Sequence, residues 1–172
     1  MAKSSFNYDD VTDYSLDQDL LEEILQKQIE CTFIWGPKDH WAVGVLMTYI
    51  WKDGSFWVSA TSQRKRISAI KRDPRVSITV SSHGTDIGPA KGITIKGKAI
   101  IHTDRETLDW YLPACAAINL PTAGALQDAF AKMMDTERRV VIEVVPEKWI
   151  TFDATKMMMA SIEAWRAEGV LD

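Results

Sequence analysis

Residues 41–60 read WAVGVLMTYIWKDGSFWVSA: two apolar runs, 41–51 and 55–60, meet at Asp53-Gly54. Asp-Gly suits a two-residue hairpin turn, in which both turn residues take positive φ. Such a hairpin commits the middle of the chain to antiparallel pairing. Further runs with strand character are residues 31–35 (CTFIW), 75–81, 91–102 (KGITIKGKAIIH) and 138–145 (RRVVIEVV). Gly97 inside the fifth of these six strands marks a bulge or a close approach of another backbone.

Helical signals surround the strands. Leu16, Leu20, Leu21, Ile24, Leu25 and Ile29 recur at helical spacing, with Ser15 and Gln18 as a capping box, so a helix is predicted over 16–30. A short basic helix is predicted over 63–72, ended by Asp73-Pro74 because the residue before proline disfavours helix. Thr103 and Glu106 open another, predicted to stop at Pro113. Leu126, Phe130, Met133 and Met134 mark one over 123–135, and a last helix over 157–167 places Met158, Ile162 and Trp165 on one face before Gly169. Six strands in hairpin-like succession with helices around them predict a mainly β fold, a small antiparallel barrel with peripheral helices.

The chain has 172 residues, 46% hydrophobic and 26% charged, and is read as one domain, with a barrel core at about 30–150. A net charge of −4 makes the basic run at Arg64 a local feature and argues against nucleic-acid binding. Cys31 and Cys115 lack metal-ligand or disulfide-framework spacing, and are expected to be buried thiols in a reducing compartment. The first residues, MAKSSFNYDD, carry no apolar signal core, and no apolar run is long enough to span a membrane; the protein is expected to be cytoplasmic.

The chemistry concentrates in Ser59-Ala60-Thr61-Ser62-Gln63-Arg64-Lys65. A strand ends there and a helix begins. The first turn of a helix exposes unpaired N–H groups and a partial positive charge, which favours anions. Thr61 and Ser62 add hydroxyls; Arg64 is suited to two phosphate oxygens, and Lys65 adds a point charge. A phosphomonoester fits that cluster. The competing reading is a solvated basic helix face with Ser62 acting only as a cap. No dinucleotide-binding or P-loop glycine motif is present.

The order of these segments resembles the pyridoxamine 5′-phosphate oxidase-like, FMN-binding split β-barrel family. The resemblance spans about residues 30–150. It rests on the strand 43–51, the Asp53-Gly54 turn, the strand 56–60, the Arg64-Lys65 pair, Arg72-Asp73-Pro74-Arg75-Val76-Ser77, and Gly97-Lys98-Ala99. It implies a six-stranded antiparallel split β-barrel and a homodimer with cofactor sites between subunits. In that likeness Arg64 and Lys65 bind the FMN phosphate. Ser59, Ala60 and Thr61 line the phosphate and ribityl chain, and the backbone of Gly44, Val45, Leu46 and Met47 runs beside the ring. Trp149, at the end of the last strand, stacks on or shields it. The implied activity is FMN-dependent oxidoreduction of a small organic substrate. Val43 stands where the vitamin B6 oxidases carry an arginine, and no Arg-x-His motif follows Phe152, so vitamin B6 oxidation is not expected. The deazaflavin F420 and heme-type tetrapyrroles, bound by related members, are the alternative cofactors, and the alternative functions are an F420-dependent reductase of the same fold or a non-enzymatic flavin- or heme-binding protein.

No nucleophile–base arrangement is legible, and no catalytic side chain is assigned. His40, His83 and His102 show no metal-ligand spacing, and no metal is expected. Trp35, Trp41, Trp51 and Trp57 are expected in the core or at a dimer contact.

Overall fold

The computed structural model describes residues 9–171; the first eight residues, part of the stretch read as lacking a signal core, lie outside them. The chain divides into two compact units. One comprises Ile29–Val80 and Thr94–Trp149. The other comprises the residues up to Gln28, Ser81–Ile93, and the chain from Ile150 onward.

The sheet has strands β1 (Glu30–Trp35), β2 (Val43–Thr48), β3 (Ile50–Lys52), β4 (Ser55–Thr61), β5 (Arg75–Ser81), β6 (Lys91–His102) and β7 (Arg139–Asp153), in the order β2-β1-β5-β6-β7-β4-β3. Seven strands replace the six expected. The run 41–51 is interrupted at Tyr49, whose N–H donates to the Ile29 carbonyl, so its two halves serve opposite ends of the sheet. β2 pairs antiparallel with β1, and β3 pairs antiparallel with β4. One chain segment thus links the two edges, as a half-open barrel requires. Asp53 and Gly54 have φ of 52° and 75°, which places Lys52 opposite Ser55 in the predicted hairpin.

Alternation fills the barrel. Cys31, Phe33 and Trp35, then Phe56, Val58 and Ala60, then Val76, Ile78 and Val80, then Val140, Ile142 and Val144 are all buried. Gly97 is where backbones meet. A β-carbon there would run into the Val145 carbonyl oxygen and lie 3.2 Å from Val144 Cγ1. β7 runs well beyond the predicted 138–145, carrying Pro146 within it.

Helix α2 (Lys65–Arg72) follows β4; α3 (Arg105–Asn119) and α4 (Ala125–Met134) lie between β6 and β7. Leu108, Tyr111, Leu112, Cys115, Met134 and Val141 form a second buried cluster. α3 does not stop at Pro113. Continuous burial of Tyr111, Leu112, Cys115 and Ala116 carries it through, outweighing the one backbone hydrogen bond a proline removes. Its cap is Asp104, accepting from the Thr107 N–H at 2.8 Å, rather than Thr103. A carboxylate at that position also meets the positive end of the helix.

The smaller unit contains α1 (Gln18–Lys27) and α5 (Ala154–Ala167). α1 buries Leu21, Ile24 and Leu25, and is shorter than 16–30. Its N-cap is Asp17 without a side-chain cap, and the Ser15 hydroxyl donates to the Thr12 carbonyl, so the capping box does not form. α5 starts earlier than 157, because Asp153 caps it through the Thr155 and Lys156 N–H groups. Met158 and Trp165 on its predicted apolar face are exposed, and Ser161 is its buried residue. Gly169, with φ 71°, follows the helix as expected. Among the described residues, no helix is long and apolar enough to cross a membrane.

Candidate functional site

The turn from β4 into α2 carries the basic cluster. The Ser62 N–H donates to the Arg138 carbonyl, and the Arg64 N–H closes a turn onto the Thr61 carbonyl. This turn delays the helix to Lys65 and makes Arg64, not Ser62, its N-cap. No side chain caps α2, and its first turn holds no acidic residue. The positive end of the helix therefore faces only cations from its own sequence.

A cavity of about 520 Å³ lies here, lined by Trp35, Gln63, Arg64, Lys65 and Arg66. Arg66 is the member that sequence reasoning missed. Its guanidinium carbon sits 5.9 Å from the centre of the Trp35 ring, within cation–π range. Its Nε is buried and, among the described residues, is the buried side-chain polar atom without a hydrogen-bond partner. Burial, and then the charge of Arg64, lower its pKa from the usual arginine value. A buried unpaired donor costs about 1–3 kcal/mol. The donor set fits a phosphate: two guanidinium groups, one ammonium and a helix N-terminus, with no carboxylate in the lining. The signal in the sequence was the full run Gln63-Arg64-Lys65-Arg66, of which only the first two cations were assigned.

The other site residues are distributed. Ala60 is buried in the barrel, and Ser59 is hydrogen-bonded to buried Tyr111. Thr61 contributes its carbonyl to the turn. Gly44, Val45, Leu46 and Met47 form most of β2, opposite Ile34, Phe33, Thr32 and Cys31 of β1. Leu46 is 68% exposed there. A β-carbon on Gly44 would come within 2.9 Å of Thr32 Cγ2, so glycine keeps the strands close. Trp149 packs edge-on to Trp51 at 6.0 Å and near Phe56 at 6.4 Å, and does not line this cavity. Of the tryptophans expected in the core or at a dimer contact, Trp35 is in the core and Trp41 is 80% exposed.

His102 is tied to a neighbouring strand. Its Nε2 lies 3.0 Å from a Glu143 oxygen, whose other oxygen accepts from Ser55 at 2.9 Å. Among the described residues, no group of three or more His, Cys, Asp or Glu is placed to hold a metal ion.

The family model described as pyridoxamine 5′-phosphate oxidase matches residues 31–153, which takes in the barrel and the basic turn. The chain belongs to the pyridoxamine 5′-phosphate oxidase family. No curated protein matches. Among solved structures, the conserved hypothetical protein Rv2991 from Mycobacterium tuberculosis is 18% identical, with a TM-score of 0.74 over 85% of this chain and 90% of that one. An F420 reductase is 19% identical, with a TM-score of 0.58 over 75% of this chain and 94% of its own. The heme storage protein HutZ from Vibrio cholerae is 12% identical, with a TM-score of 0.59 over 80% and 96%. These likenesses establish the shared fold.

Proposed function

We propose that this family member is a flavin-dependent oxidoreductase that holds FMN by its phosphate in the Arg64–Lys65–Arg66 cavity. The observation that carries the reading is the cavity at the uncapped start of α2, lined by Arg64, Lys65 and Arg66 with no carboxylate among them. Bound FMN supplies the redox chemistry, exchanging a hydride or electron pair with a small organic substrate. Arg64 and Lys65 neutralise the phosphate, Arg66 completes its hydrogen bonds, and Trp35 holds Arg66 in place by packing beneath it. The backbone of Gly44–Met47 borders the ring, with Ser59, Ala60 and Thr61 toward the ribityl chain and Trp149 as a shield. The working form is a homodimer with the cofactor between subunits, supported by exposed Trp41, Val43 and Leu46 on and beside edge strand β2. Two free buried thiols fit a cytoplasmic setting.

F420 in the same cavity is the second reading. It is favoured by Val43, which stands where the FMN-binding vitamin B6 oxidases have an arginine, and by the fold shared with an F420 reductase. A non-enzymatic tetrapyrrole carrier is the third, drawing on the fold shared with HutZ.

Titration of the purified protein with FMN, F420 and heme separates the three. FMN is expected to bind saturably, and Arg64→Ala with Lys65→Ala to weaken it by more than about 100-fold, since two charge-assisted contacts are worth at least about 3 kcal/mol. Unchanged affinity in the double variant would remove the phosphate from this cavity. Preference for F420 or heme would replace FMN.

A further inference from the structure

A second cavity, of about 340 Å³, shares Trp35 with the first and is lined besides by Ile34, Ala42, Val76, Arg75, Lys96 and Glu147. Its volume is that of a small-molecule site. Ile34, Trp35, Ala42 and Val76 make its walls apolar, and Gly36, where a β-carbon would meet nothing within 4 Å, leaves them open at one point.

The charges in this lining do not cancel. Arg75 is committed to Asp73 by a two-pronged ion pair, Nε to Oδ1 at 2.9 Å and Nη2 to Oδ2 at 2.6 Å. Glu147 is committed to Lys98, 2.8 Å away. Lys96, two residues before Lys98 on the same side of β6, is the lining cation that makes no ion pair among the described residues. One positive charge is left over beside an apolar surface. This pattern differs from the phosphate cavity, where three cations converge without an apolar floor other than Trp35.

We propose that this second cavity binds an apolar organic monoanion, such as an aromatic carboxylate, with Lys96 as its charge partner. A single ammonium balances a single carboxylate, and the apolar walls take the hydrocarbon part. A phosphomonoester dianion is better served by the three cations next door. Trp35 lines both cavities, so such a ligand would share that side chain with the phosphate cluster. That is a fitting place for a substrate, although the binding proposal does not depend on which cofactor the chain holds.

The test is calorimetric titration of the full chain with 1-naphthoate and with its neutral counterpart 1-naphthylmethanol. The expected result is one naphthoate site per chain, at least about 10-fold tighter for the acid than for the alcohol. Lys96→Ala should abolish that preference and Lys96→Arg should retain it, with thermal unfolding used to confirm that both variants are folded. Arg64→Ala with Lys65→Ala should leave naphthoate binding unchanged while losing FMN, which separates this site from the phosphate cavity. Absence of saturable binding, equal affinity for acid and alcohol, an unaffected Lys96→Ala variant, or loss of naphthoate binding in the Arg64/Lys65 variant would each overturn the proposal.

Discussion

The Arg66 guanidinium lies over the Trp35 ring, 5.9 Å from its centre, with Nε buried and unpartnered. Such a donor opposes folding, while the charged group it belongs to lines the basic cavity, so removing the guanidinium should split the two properties. Arg66→Met keeps the length that covers Trp35 and removes the unsatisfied group. Stability of the cofactor-free protein is expected to hold or rise slightly, while FMN affinity falls about 10- to 100-fold, the worth of one hydrogen bond to a charged group. Chemical denaturation and flavin titration read the two effects. A variant that binds FMN normally would leave Arg66 with a packing role alone.

Gly97 makes a different demand. With Val145 backbone where a β-carbon would go, Gly97→Ala forces strands β6 and β7 apart, because a backbone atom cannot swing aside as a side chain can. A loss of about 1–3 kcal/mol is expected, as for an overpacked core. Gly36→Ala, where a β-carbon meets nothing within 4 Å, is the matched control and should be close to neutral. Urea midpoints of the two variants decide it; equal midpoints would contradict the strand packing.

Gly97 was legible in the sequence because a glycine weakens an alternating strand unless a bulge or a neighbouring backbone requires it. Asp53-Gly54 was legible because its turn needs positive φ at both residues. The basic turn showed through its charge. Helix starts did not: Asp104 caps in place of Thr103, and Arg64 occupies the cap position at α2, because hydrogen bonds to distant carbonyls such as that of Arg138 set the turn. Pro113 was overruled by burial on both sides of it. Arg66 and Lys96 escaped notice for one reason. Each matters through what it fails to pair with, and pairing is a property of the folded chain.

Burial also sets an alkaline limit. Cys31 is pushed from 9.0 up to about 12, chiefly by desolvation and then by the charge of Glu30. Cys115 and Tyr111 are raised as well, again mainly by burial. Below pH 9 the folded and unfolded chains both keep the Cys31 proton, so this thiol adds no pH dependence. Between 9 and about 12 the unfolded chain releases a proton that the fold retains, so stability falls as pH rises. The slope from Cys31 approaches about 1.4 kcal/mol per pH unit. Urea midpoints measured from pH ~8 to ~10.5 should decline, and Cys31→Ala should be less stable at the lower pH yet decline less steeply. An identical slope in the variant would mean that Cys31 titrates normally.

Leu46 offers the sharpest test of assembly. It is 68% exposed on β2, a strand with a sheet neighbour on one side only. An exposed leucine on an unpaired edge invites association, and the proposed homodimer would cover it while placing the Gly44–Met47 backbone against the shared cofactor. Leu46→Glu removes no buried contact within the chain, so the melting temperature of the isolated subunit should barely change. In the dimer it would set two carboxylates into an apolar contact, which is costly without partners. The wild-type protein is expected to sediment as a dimer and Leu46→Glu as a monomer, with FMN affinity reduced at least about 10-fold because half of each site leaves with the partner. A wild-type monomer that binds FMN tightly would confine the cofactor to a single chain and leave Arg64, Lys65 and Arg66 as its whole phosphate site.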